Sequence, residues 1–120
     1  MEMFFDVQTK VLIFATFAGI LLDVLSGLAQ AIKNKELSSE VLRLGLWHKC
    51  GFVGLMILGA YVEWVQTITD ISTAIGFTIP TLAAICVYII GTEIVSIIEN
   101  LKRINPEILE ALPGEGSNHD

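Results

Sequence analysis

The sequence predicts an all-α integral membrane protein with three transmembrane helices and a short C-terminal amphipathic helix. Three observations carry this. Hydrophobic residues make up 53% of the 120 positions and charged residues only 17%, where an ordinary soluble domain carries about 25% charged. Three apolar runs, about residues 11–32, 47–66 and 79–100, are each long enough as helix to cross a hydrocarbon core of about 30 Å. The basic residues cluster between the first two runs and after the third, as the charge bias of membrane proteins requires.

The leader, residues 1–10, is short and of mixed charge, with Met1 and Met3 as two possible starts. A cleaved signal peptide is the competing reading, since residues 11–22 could be its apolar core and Ala29-Gln30-Ala31 its cleavage site. The leader carries Glu2, Asp6 and a single Lys10, without the positive start such peptides show, so the run is expected to stay as a span. Along it Thr16, Gly19, Asp23, Ser26, Gly27 and Gln30 fall near helical spacing. Small residues let helices approach and polar ones bond across the contact, so this stripe is a candidate packing or pore-lining face built around Asp23.

Residues 33–46 form a basic loop, in which Ser38-Ser39-Glu40 can cap a helix leading into the second span. Trp47 and Trp64 lie roughly 25 Å apart along a helix, an aromatic for each interface. With them Lys49 is expected as an interfacial anchor, and His48 and Glu63 at headgroup level. Gly51, Gly54 and Gly59 add small packing surfaces. Residues 66–78 form a polar turn without a basic residue. In the third span, Pro80 is tolerated in the first turn. Tyr88, Thr92, Ser96 and Glu99 mark one polar line, and Glu93, Ser96 and Asn100 its neighbour. Lys102 and Arg103 close the span. Asn105-Pro106-Glu107 then starts the short amphipathic helix, running to Leu112. Residues 1–112 are expected as one domain, and residues 113–120 as a frayed acidic tail.

Positive charge is retained on the cytoplasmic side, which puts the first loop and the C-terminus inside and the N-terminus outside. A net charge of −6 argues against nucleic acid. No catalytic motif, cofactor motif or metal-ligand spacing is present, so no cofactor is expected. Cys50 and Cys86 read as small buried hydrophobes. Acids near the membrane (Asp23, Glu63, Glu93, Glu99) have no Lys or Arg expected deep in a span. A lone carboxylate in lipid is costly, so self-association is the simplest remedy.

Asp23-Val24-Leu25-Ser26-Gly27, Glu36-Leu37-Ser38-Ser39 with Gly45-Leu46 and Lys49, the stretch from Tyr88-Ile89-Ile90-Gly91-Thr92-Glu93 through Ile94-Val95-Ser96-Ile97-Ile98-Glu99-Asn100-Leu101, and Pro106-Glu107-Ile108-Leu109 together resemble the phage holin family that includes clostridial toxin-secretion holins. The resemblance spans about residues 15–112. It departs at Ser26, where Thr is expected, and in the acidic tail. It implies a non-enzymatic protein that oligomerises with itself in the bacterial inner membrane and opens it at a set time. An endolysin (host cell lysis) or a toxin (secretion) would then pass, without required direct contact. The rival readings are a small proton-coupled exporter using Asp23 and a passive membrane anchor.

Overall fold

A computed structural model describes residues 6–111, and among these it contains helices and no strand. The first helix, α1, spans Val7–Lys33, the second, α2, Ser39–Ile68, and a short α3 follows at Ile71–Ile75. The last long helix, α4, spans Thr81–Ile104, and a 3-10 turn covers Pro106–Ala111. At 1.5 Å per residue the three long helices measure about 40, 45 and 36 Å, and all three are apolar enough to cross a membrane.

Local chemistry sets their ends. Asp6 caps α1 by accepting the Thr9 N–H at 2.7 Å. These bonds from Thr9 hold its carboxyl below the ordinary value of 3.8. At the other end the Glu36 N–H reaches back to the Ala31 carbonyl, with Lys35 in the left-handed region at φ 57°. That is the place a glycine usually takes in such a stop. Ser38 caps α2, accepting from the Val41 N–H at 3.1 Å. Helix therefore starts at Ser39, and the basic loop expected over 33–46 shrinks to the turn at 34–38. The expected polar turn over 66–78 also shortens, because α2 continues to Ile68 and α3 intervenes. Pro80 is the N-cap of α4 rather than part of its first turn. Asn105 accepts the Glu107 N–H at 3.1 Å to begin the final turn, which is 3-10 rather than α. The expected end at Leu112 and the acidic tail lie outside the described residues.

Side-chain partners give the topology. Gly19 faces Glu93, Gly27 faces Asn100, and the Lys33 ammonium donates to the Ile104 carbonyl. Partner numbers rise together, so α1 and α4 run parallel. Lys49 meets Glu93, Gly59 meets Leu82 and Gln66 meets Ile79, so α2 runs antiparallel to α4. Buried side chains repeat at heptad-like spacing on each helix: Thr16, Ile20 and Asp23; Phe52, Met56, Gly59 and Gln66; Leu82, Cys86, Ile89 and Glu93. Ile20, Phe52, Met56, Leu82, Cys86 and Ile89 form the apolar core.

Many other apolar side chains face out. Phe14, Trp47 and Ile57 are among many large apolar side chains left more than half exposed. A water-soluble monomer rarely exposes apolar surface so continuously, whereas hydrocarbon solvates it.

Candidate functional site

Polar groups converge where the three long helices meet. The Lys49 ammonium lies 2.7 and 2.9 Å from the two Glu93 carboxylate oxygens and also donates to Asp23 Oδ2. Each residue comes from a different helix. Glu93 is 1% exposed and Asp23 7%, so both carboxylates have left solvent. Lys49 also stands 5.7 Å from the centroid of the Phe52 ring, whose face contributes a further weak attraction. His48 packs edge-on against the same ring at 4.7 Å between centroids.

Asn100 completes the cluster. Its Nδ2 donates to Asp23 Oδ1 at 2.9 Å, to the Asp23 carbonyl at 3.3 Å and to Ser26 Oγ at 3.0 Å. Ser26 in turn donates to the Asp23 carbonyl at 3.2 Å. Gly27 makes room for this, since a Cβ there would lie 3.4 Å from Asn100 Nδ2. Gln30, one turn further along, is buried and accepts from Asn34 Nδ2 at 3.1 Å. Ser96 is half-buried beside this line. The candidates Asp23, Ser26, Gly27, Glu93 and Asn100 thus lie in one α1–α4 seam, and their partners belong to the same chain.

Lys49 is the residue that the sequence misplaces. It was expected as an interfacial anchor, with no basic group deep in a span. Because α2 begins at Ser39, Lys49 sits three turns inside a helix, and its long stem carries the charge to the seam. Asp23 and Glu93 find their cation within one chain, whereas Glu99 stays exposed. Counting helix rise from Lys33, Ser39 and Ile104, Asp23, Lys49 and Glu93 all lie about 15 Å from the end that carries most basic residues. Trp47 and Trp64 are 69% and 46% exposed on the outer face of α2.

A second polar set lies at the opposite end. Glu63 Oε1 accepts the Leu82 N–H at 2.9 Å, so its carboxylate caps α4 from the neighbouring helix. Gln66 accepts from the Ile79 N–H at 2.8 Å and donates to the Ile79 carbonyl at 3.1 Å. Gly59 permits the approach: a Cβ there would sit 2.8 Å from Ile85 Cδ1 and 3.1 Å from Leu82 Cα. From the sequence, Glu63 is expected at the interface and Gln66 at the start of the polar turn 66–78, neither of them bonded to the third span. The signal existed, because Lys49, Phe52, Met56, Gly59, Glu63 and Gln66 share one heptad-like stripe.

The two ends of α2 differ in cover. Every residue from 32 to 48 is exposed, whereas from Lys49 onward α2 buries one face. Between α1 and α2, beyond the ion cluster, an open apolar groove of about 160 Å³ is lined by residues such as Ile13, Phe17, Met56 and Leu82. Among the described residues no group of His, Cys, Asp and Glu is arranged to hold a metal.

Compared with known proteins, the model of a family described as the bacteriophage holin family matches residues 2–114. No match is found among curated proteins or among solved structures.

Proposed function

Starting from a chain that belongs to the bacteriophage holin family, a family of membrane pore-forming proteins and not of enzymes, we propose that it accumulates in the bacterial inner membrane, oligomerises and opens that membrane at a set time. Endolysin, or a toxin, then passes. The basic end and the C-terminus face the cytoplasm in this reading, following the charge bias.

The observation that carries the mechanism is the Asp23–Lys49–Glu93 cluster. It holds α2 against α1 and α4 at the point where α2 otherwise leaves them. In the resting chain Lys49 offsets two carboxylates that lipid would not tolerate alone. Opening separates Lys49 from the seam. Asp23, Ser26, Gln30, Glu93, Ser96 and Asn100 then present one polar face, which water can occupy once neighbouring copies shield it from lipid. Asp23 is bonded to both Lys49 and Asn100, so in the resting chain it belongs to this cluster.

The test is expression of the chain in a bacterium, with and without a cytoplasmic endolysin, while growth and membrane potential are followed. The expected result is normal growth, then abrupt depolarisation and passage of a co-expressed cytoplasmic endolysin to the wall. Sustained growth with an intact potential at high membrane abundance would contradict the proposal.

A further inference from the structure

The outer faces of α2 and α4 carry matching patterns, and we infer that they are the two halves of a contact between copies of this chain in the same membrane. The inference rests on the proposed oligomerisation and names the surface that performs it.

Lys49 touches Glu93, which fixes the relative depth of two antiparallel helices. Six residues toward the basic end from that contact lie Arg43 on α2 and Glu99 on α4, each about 9 Å away by helix rise. Three residues further lie Glu40 and Lys102. The two levels therefore carry opposite charges on the two helices, in alternating order. All four side chains are exposed, and none has an ion-pair partner among the described residues.

Matching continues in the other direction. Two residues past the contact, Gly51 on α2 stands level with Gly91 on α4. Five residues past it, Gly54 stands level with Tyr88. All three glycines have open space where a Cβ would be, and Tyr88 is 61% exposed. One helix offers shallow backbone, and the other offers a ring to fill it and a second glycine for close approach.

Among the described residues no ion pair joins the two patterns within one molecule. Arg43 stands nine residues from buried Phe52, and Gly91 nine from buried Leu82. Nine residues are two and a half turns, so both point away from their own core. A second copy inserted the same way round keeps every depth, so its α4 brings Glu99 to Arg43, Lys102 to Glu40 and Tyr88 to Gly54. The two surfaces differ, so the contact is head-to-tail and repeats from copy to copy until a ring closes.

Two differently tagged chains test this in bacterial membranes soon after induction, in a Cys50→Ser, Cys86→Ala background. One carries Gly51→Cys and the other Gly91→Cys. Oxidation is expected to give a mixed-tag disulfide adduct well above that from two Gly51→Cys chains. Arg43→Glu in the first chain should lower the adduct roughly fivefold, the size of a lost exposed ion pair turned repulsive. Glu99→Arg in the second chain should restore it. Equal adduct from all cysteine pairings, or a loss that the second reversal does not restore, would overturn the inference. The readout is independent of lysis: adduct without depolarisation keeps this interface and removes the proposed function, and depolarisation without adduct removes the interface alone.

Discussion

The two ends of α2 behave as different objects. Toward Ile68 the helix is fastened to α4 by Gly59 packing, by the Glu63 cap and by Gln66 on both polar groups of Ile79. Toward Ser39 its first ten residues touch neither α1 nor α4 closely enough to lose exposure. Lys49 marks the boundary. In the proposed opening, the exposed end of α2 swings about its fastened end once the ion cluster breaks. Apolar packing gives little reason to choose between lipid and protein, because hydrocarbon solvates Leu as well as another Leu does. Close packing at small residues such as Gly59 and the polar contacts therefore decide which helices stay together.

The largest test of this contrast is Lys49→Met. It removes the cation and leaves two buried carboxylates facing one another, which costs about 3–5 kcal/mol. Early depolarisation and a lowered melting temperature in bilayers are expected. Adding Asp23→Asn and Glu93→Gln removes the stranded charge and should recover most of the lost stability. A triple variant as unstable as the single one would show that Lys49 acts through something other than these acids.

Next in size is the fastened end. Gly59→Ala places a methyl against backbone atoms of Leu82, so α2 and α4 must separate. A loss of about 1–3 kcal/mol follows from overpacking, and Gly51→Ala or Gly54→Ala, with open space at the same position, should cost far less in the same melting assay. Glu63→Ala leaves the Leu82 N–H without its acceptor and should cost about 0.5–2 kcal/mol, the range of a lost helix cap. Faster amide exchange at Leu82, with Asn100 unaffected, would locate the damage at this end.

The smallest effect concerns Asp6. Thr9 bonds hold its pKa below 3.8, so the folded state binds fewer protons there than the unfolded one. The cap's contribution is present above pH 3.8 and is lost as pH falls through the lower folded value. Amide exchange at Thr9 should rise over that acid range, while Val41, capped by the neutral Ser38, should not change with it.

Much of the fold was legible because the apolar runs, the Ser38 and Asn105-Pro106 signals and the basic clusters are local features. The α1–α4 seam was half legible. The spacing of Asp23, Ser26, Gly27 and Gln30 marks a packing face, and so does that of Glu93, Ser96 and Asn100, but nothing in one dimension says that these faces meet. Lys49 was hidden by its neighbours, since a lysine beside Trp47 and His48 looks like a headgroup anchor. Its true place depends on α2 starting at Ser39 and on the reach of four methylenes, and both act over distances that spacing does not encode. Glu63 was similarly masked by Trp64.

The central claim is that Asp23 and Glu93 are held inside each molecule, by Lys49 of the same chain. Solid-state NMR in lipid bilayers measures this directly, through the dipolar coupling between the Lys49 ¹⁵Nζ and the Glu93 ¹³Cδ. The predicted result is a strong coupling, matching Nζ–oxygen distances of 2.7 and 2.9 Å, that is unchanged when labelled chains are diluted into an excess of unlabelled ones. A coupling that fades on dilution, or is absent at the start, would contradict it.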